Sequence, residues 1–124
     1  MLSVGVIGAA GRMGRAVCDA VQSAEDLELV ARIDRGDSLD ALTAGGAEVA
    51  VEFTRPDSVK ENIRWCIHHG IHAVVGTTGL TAEALAEVED WTKGASANVF
   101  VAPNFAIGAV LMMHFAALAA PHFS

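Results

Sequence analysis

The chain is short of cysteine and of positive charge, and each shortage removes a class of function. Only two cysteines occur in 124 residues. Cys18 and Cys66 lie far apart, each inside a predicted helix, with no C-x-x-C pair. That pattern reads as two buried thiols in a reducing cytosol, not as a disulfide framework. Eight Lys and Arg stand against fifteen Asp and Glu, for a net charge of −7. The basic residues are scattered, so no nucleic-acid partner is expected. An anionic ligand would have to be held by local dipoles and one or two arginines. Long apolar runs are also missing. The longest, Ala106 to Ala120, is shorter than a membrane span and carries His114, so it reads as a core or interface helix and no membrane partner is expected. A strand begins almost at Met1, so no signal peptide is expected and the protein is read as cytoplasmic. There is no repeat, no low-complexity stretch and no linker, which makes residues 1–124 one domain. Yet 52% of the residues are hydrophobic. Either the core is large for the length, or some apolar faces await a partner.

What is present is organised around Val4-Gly5-Val6-Ile7-Gly8-Ala9-Ala10-Gly11-Arg12-Met13-Gly14. A short apolar run meets three glycines and then an amphipathic helix. Glycine lets the backbone turn tightly and lets a phosphate approach where a Cβ would obstruct it. The helix points its first N–H groups and its positive dipole end at the same space. The spacing is G-x-x-G-x-x-G. Asp34 follows 20 residues after Gly14, at the end of a second apolar run. Strand, glycine loop, helix and acid are the context that gives such a loop its meaning in dinucleotide binding.

Periodicity predicts five strands alternating with helices. The strands are Leu2 to Ile7, Leu27 to Ile33, Ala47 to Phe53, Ile71 to Val75 and Asn98 to Ala102. The first helix, Arg12 to Ala24, buries Met13, Ala16, Val17, Ala20, Val21 and Ala24. The polar loop after Asp34 holds at most a helical turn at Ser38 to Leu42. A helix entered at Thr54-Arg55-Pro56-Asp57, with Thr54 at capping-box spacing to Asp57, buries Val59, Ile63, Cys66 and Ile67 and ends at Gly70. Thr81 caps a further helix with Leu85, Val88 and Trp91 inward. A last helix runs from Ile107 to Ala120. The fold class is α/β, a doubly wound parallel sheet of Rossmann-like type, and right-handed crossovers point to strand order 3-2-1-4-5.

Ligands in such sheets bind outside the carboxyl ends of the strands. Gly8 to Gly14, Asp34-Arg35, Thr54, Gly76 to Gly79 and Pro103 to Phe105 fall on that edge. Asp34 is placed to accept hydrogen bonds from a ribose diol. Arg35 can fold over a 2′-phosphate or remain a solvated charge. Gly76-Thr77-Thr78-Gly79 suits a carboxamide or is a plain turn. Asn104-Phe105 offers an amide and a ring to the same end, or a helix entry with Phe105 in the core. His68, His69 and His72 fall on the opposite edge. Gly70 breaks the helix between them, so they read as exposed histidines and no metal is expected.

Four segments together resemble the 4-hydroxy-tetrahydrodipicolinate reductase (dihydrodipicolinate reductase) family of lysine biosynthesis. They are Gly8-Ala9-Ala10-Gly11-Arg12-Met13-Gly14, Glu52-Phe53-Thr54, Val75-Gly76-Thr77-Thr78-Gly79 and Ala102-Pro103-Asn104-Phe105. The compact loop after Asp34 is similar to actinobacterial members. The resemblance implies a hydride transfer from NADH or NADPH to a cyclic dicarboxylate. It implies that Gly8, Ala9, Ala10, Gly11, Arg12 and Met13 hold the pyrophosphate and Asp34 the adenosine ribose. Arg35 would favour the 2′-phosphate, and Gly76, Thr77 and Thr78 would line the nicotinamide end, completed by Ala102, Pro103, Asn104 and Phe105. The family's His-His pair with its lysine, and its Ser-Gly-Thr substrate loop, lie beyond the Asn-Phe segment in a second domain with the tetramer contacts. None is present before Ser124, and His68-His69 is not that pair. No catalytic residue is therefore expected within this chain, which reads as the cofactor-binding part of a homotetrameric enzyme. Gly70-Ile71-His72-Ala73-Val74-Val75 before a Thr-Gly loop is also similar to coenzyme A-binding domains, a rival that Asp34 disfavours. A Rossmann domain with no tight nucleotide binding is the third reading.

Overall fold

A computed structural model describes residues 1–77 and 79–101. Strand β1 (Leu2–Ile7) leads into helix α1 (Arg12–Ser23), β2 (Leu27–Ile33), the short α2 (Asp40–Ala44), β3 (Val49–Glu52), α3 (Val59–His68), β4 (His72–Val75), α4 (Ala82–Thr92) and β5 (Val99–Val101). The expected last helix, with His114, lies outside the described residues, as do Thr78 and the segment Ala102 to Phe105.

All strand pairs are parallel. Both faces are largely apolar because successive residues of β1 and β3 point to opposite sides, Val4, Val6, Val49 and Val51 to one and Ile7 and Ala50 to the other. Val4, Val6, Val49, Val51 and Val74 pack beneath Val17, Cys18 and Val21 of α1. Ile7, Ala31, Ile33, Ala50, Ala73 and Val75 pack beneath Leu42 of α2, the whole Val59, Ile63, Cys66 and Ile67 stripe of α3, and Val88 of α4. Among the described residues, one helix on one face and three on the other is the doubly wound arrangement expected.

The position of one strand differs. The order is β2-β1-β3-β4-β5, so β3 sits against β1 and not outside β2. Both orders satisfy right-handed crossovers, so handedness alone does not choose between them. The choice rests on the face that α2 covers. Leu42 is fully buried, and a Cβ added at Gly5 in mid-β1 would lie 2.2 Å from its Cδ2. The glycine leaves the space in which this short crossover lies over the sheet, carrying the chain across β1 to its free side.

Three local expectations are also corrected. Strand β3 spans Val49–Glu52 only, and α3 starts at Val59 behind a turn over 56–58. Thr54 caps no helix, because its hydroxyl is bound to a buried carboxylate instead. Leu85 is exposed; α4 fully buries Val88 alone and half-buries Trp91, as suits a helix at the sheet's margin. Thr81 does cap α4, its Oγ1 accepting from the Ala84 N–H at 3.1 Å. No helix among the described residues is long and apolar enough to cross a membrane.

Candidate functional site

The winding direction reverses between β1 and β3, and a reversal opens a crevice at the carboxyl ends of the strands. A ladder of backbone bonds ties the strand ends together there. Gly8 N–H donates to Ile33 O at 2.7 Å, Phe53 N–H to Ile7 O at 2.9 Å and Gly76 N–H to Glu52 O at 2.8 Å. The loops after β1, β2, β3 and β4 thus leave the sheet from fixed points.

Two glycines of the first loop are required by the fold itself. A Cβ at Gly8, where φ is +89°, would lie 1.9 Å from Phe53 O; one at Gly14 would lie 1.8 Å from Gly8 O. Gly11 differs: its Cβ would meet only Gly8 O, at 3.4 Å. Gly11 is the N-cap of α1, and among the described residues no side chain caps this helix. Its first N–H groups are therefore available to an anion.

A cleft of about 650 Å³ opens in front of this loop, lined by Gly8, Ala10, Gly11, Asp34, Arg35 and Thr54 from the sequence-derived set. Asp34 is half-buried, and its Oδ1 accepts the Ala10 N–H at 2.6 Å, joining the end of β2 to the glycine loop. Its own N–H donates to Asp37 Oδ2 at 2.9 Å. Arg35 is exposed on the same rim. Ala9 is buried beneath the loop, Met13 is half-buried and Arg12 is exposed; none of the three lines the cleft. Gly76 and Thr77 stand one strand further on. Thr77 is buried and reaches Thr54, whose N–H donates to Thr77 Oγ1 at 2.7 Å.

Sequence reading assigned no role to Glu52, Asn62 or Arg55. Glu52 is 1% exposed at the end of β3 and accepts from Thr77, Thr54 and Asn62. A charged residue closing an otherwise apolar buried strand was the available signal. Asn62 and Arg55 line the cleft but had no pattern to mark them. Cys66, on the α3 face below, is pushed up to about 12 by burial and then by the charge of Glu52. Burial raises the Cys18 thiol as well. Both thiols are free and buried.

The histidines lie at the opposite edge of the sheet. His69 stacks on Trp65 with ring centroids 3.8 Å apart, and its Nδ1 faces Trp65 O at 2.7 Å. His72 Nδ1 accepts the Asn98 N–H at 3.0 Å. A hollow of about 410 Å³ lies between them and Glu48. Among the described residues no group of three His, Cys, Asp or Glu could hold a metal ion.

The all-parallel doubly wound sheet, with a glycine loop and an acid at its reversal point, defines a domain of the Rossmann-like α/β class. The family model for dihydrodipicolinate reductase, N-terminus, matches residues 2–105, and the chain belongs to that family. It is 61% identical over 123 residues to a 4-hydroxy-tetrahydrodipicolinate reductase of Corynebacterium aurimucosum, covering 98% of this chain and 50% of the relative. It is 55% identical to the reductase of Streptomyces coelicolor, covering 98% and 49%. A dipicolinate-bound dihydrodipicolinate reductase from Paenisporosarcina sp. TG-14 superposes with a TM-score of 0.78 at 34% identity, over 97% of this chain and 54% of that one. The chain thus spans about half the length of the curated relatives it matches.

Proposed function

We propose that this domain binds NADH and NADPH in the cleft before the glycine loop, as the cofactor half of a 4-hydroxy-tetrahydrodipicolinate reductase. The supporting observation is the convergence of the uncapped α1 N-terminus, Asp34 and Thr54 on one 650 Å³ cleft where the sheet reverses. The α1 N–H groups and the loop from Gly8 to Met13 hold the pyrophosphate. Asp34 accepts from the adenosine ribose diol, and Arg35 pairs with a 2′-phosphate when one is present. Thr54, Gly76, Thr77 and Thr78, with Ala102, Pro103, Asn104 and Phe105, take the nicotinamide half. The cofactor supplies a hydride. The cyclic dicarboxylate that receives it, and the acid that assists, are held by the half of the relatives that this chain does not span. The complete enzyme works in the cytoplasm as a homotetramer joined through that half.

The test is calorimetric titration of the chain with both nucleotides. Asp34→Ala should weaken NADH more than NADPH, since it deletes ribose hydrogen bonds and also removes repulsion of the 2′-phosphate. Arg35→Ala should do the reverse, each by about 1–3 kcal/mol, the scale of a charge-assisted hydrogen bond. Equal losses for both nucleotides would sink the ribose assignment. Displacement of NADH by coenzyme A would favour the rival reading. NADPH oxidation with freshly generated 4-hydroxy-tetrahydrodipicolinate should require a chain extended through the second half. Equal turnover by the short chain would place the acid within residues 1–124.

A further inference from the structure

Glu52 is a buried charge that the scheme above leaves without a task. Its carboxylate is met by three donors. Thr77 Oγ1 donates to Oε1, while Thr54 Oγ1 donates to Oε2 at 2.5 Å and Asn62 Nδ2 to the same oxygen at 2.9 Å. An ionised carboxylate accepts only, so the proton of each hydroxyl must point at it. The other acceptor near the Thr54 hydroxyl, Arg55 O, lies 3.5 Å away and does not compete. Asn62 Nδ2 also lies 3.5 Å from Thr54 Oγ1, but it is engaged by Glu52. One lone pair of Thr77 takes the Thr54 N–H. What the two hydroxyls have left to offer is lone pairs, and Thr54 lines the cleft.

We infer that Glu52 is a positioning residue that makes Thr54 and Thr77 obligate hydrogen-bond acceptors, so that this side of the cleft selects donors on the nicotinamide half of the dinucleotide. The inference rests on the dinucleotide reading. The donors that half carries are its ribose hydroxyls and its carboxamide NH₂. An apolar residue could hold β3 and β4 together as well as a buried carboxylate does, and often at less cost in stability. What the carboxylate adds is polarity: it fixes which way two rotatable hydroxyls face. In Glu52→Gln one acceptor oxygen becomes a donor nitrogen, so a threonine must turn its proton elsewhere.

The experiment titrates wild type, Glu52→Gln, Thr54→Val and Thr54→Ser with NAD⁺, nicotinic acid adenine dinucleotide, ADP-ribose and ADP. Glu52→Gln should weaken NAD⁺ about tenfold, the loss of roughly one hydrogen bond, with ADP changed less than about twofold. Thr54→Val removes the hydroxyl without touching the charge and should show the same selective loss, which Thr54→Ser restores. A loss shared by ADP-ribose assigns the donor to the ribose. A loss confined to NAD⁺, with discrimination against the nicotinic acid analogue collapsing, assigns it to the carboxamide. Equal weakening of NAD⁺ and ADP would show a merely structural role, and unchanged NAD⁺ binding in both Glu52→Gln and Thr54→Val would also overturn the inference. If Glu52→Gln fails to fold, the Thr54 pair decides. Wild type that binds neither NAD⁺ nor ADP would overturn the dinucleotide reading instead.

Discussion

Gly11 and Gly14 look alike in the sequence, both being members of one spaced motif, but they serve different ends. Gly14 is packed against the Gly8 carbonyl, so Gly14→Ala must push the backbone of the loop apart and should lower the urea midpoint. Gly11 has room for a side chain within the protein. Gly11→Val should keep the native circular dichroism spectrum and abolish nucleotide binding, because the new methyls stand where we propose that the pyrophosphate approaches. Undiminished NADH binding by Gly11→Val would remove the phosphate role from this loop. The motif was legible because its spacing is a property of the chain alone. Which glycine serves packing was not legible, since that depends on how the loop folds back to set the Gly8 carbonyl against Gly14 and Phe53 O against Gly8. Glu52 escaped for a related reason: its partners Thr54, Asn62 and Thr77 are up to 25 residues away.

Elements were read well where their own residues decide them. The strands Leu2–Ile7 and Leu27–Ile33 are mostly apolar, interrupted only by Ser3, Gly5, Glu28 and Arg32, and have the expected bounds, and the α3 stripe is complete. They were read less well where a neighbour decides. Thr54 has the spacing of a cap, but a buried carboxylate competes for its hydroxyl and wins. Strand order escaped because α2 has only five residues and its docking depends on the gap at Gly5. That dependence can be measured. Gly5→Ala brings a methyl against Leu42 and should cost about 1–3 kcal/mol, as overpacking of a filled core does. Leu42→Ala in the same chain should relieve part of that cost, so the double variant loses less than the sum of the singles. Additive losses would mean that α2 does not lie over Gly5.

For the molecule as a whole, the buried thiols make stability fall at alkaline pH. The Cys66 thiol is raised from 9.0 to about 12 in the folded protein. Below pH 9.0 the thiol is protonated in both states. From there to about pH 12 the unfolded chain releases the proton and the folded one keeps it, so the unfolded state gains. Cys18 shifts in the same direction. Cys66→Ala should be less stable at neutral pH because of the cavity it leaves, yet lose stability less steeply over this window. Urea midpoints as a function of pH test this, and parallel slopes for variant and parent would refute it.

The placement of β3 beside β1 also bears on the protein's synthesis. A ribosome releases β1, the glycine loop, α1 and β2 as one contiguous stretch, and these can pair as soon as they emerge. The other wall of the crevice arrives only with Val49–Glu52, and the Glu52 network waits for Asn62 and Thr77. A nascent chain therefore carries the glycine loop well before the crevice in front of it is complete. A ligand of the crevice can favour folding only once β3 has closed its second wall, because a ligand stabilises only the state that binds it.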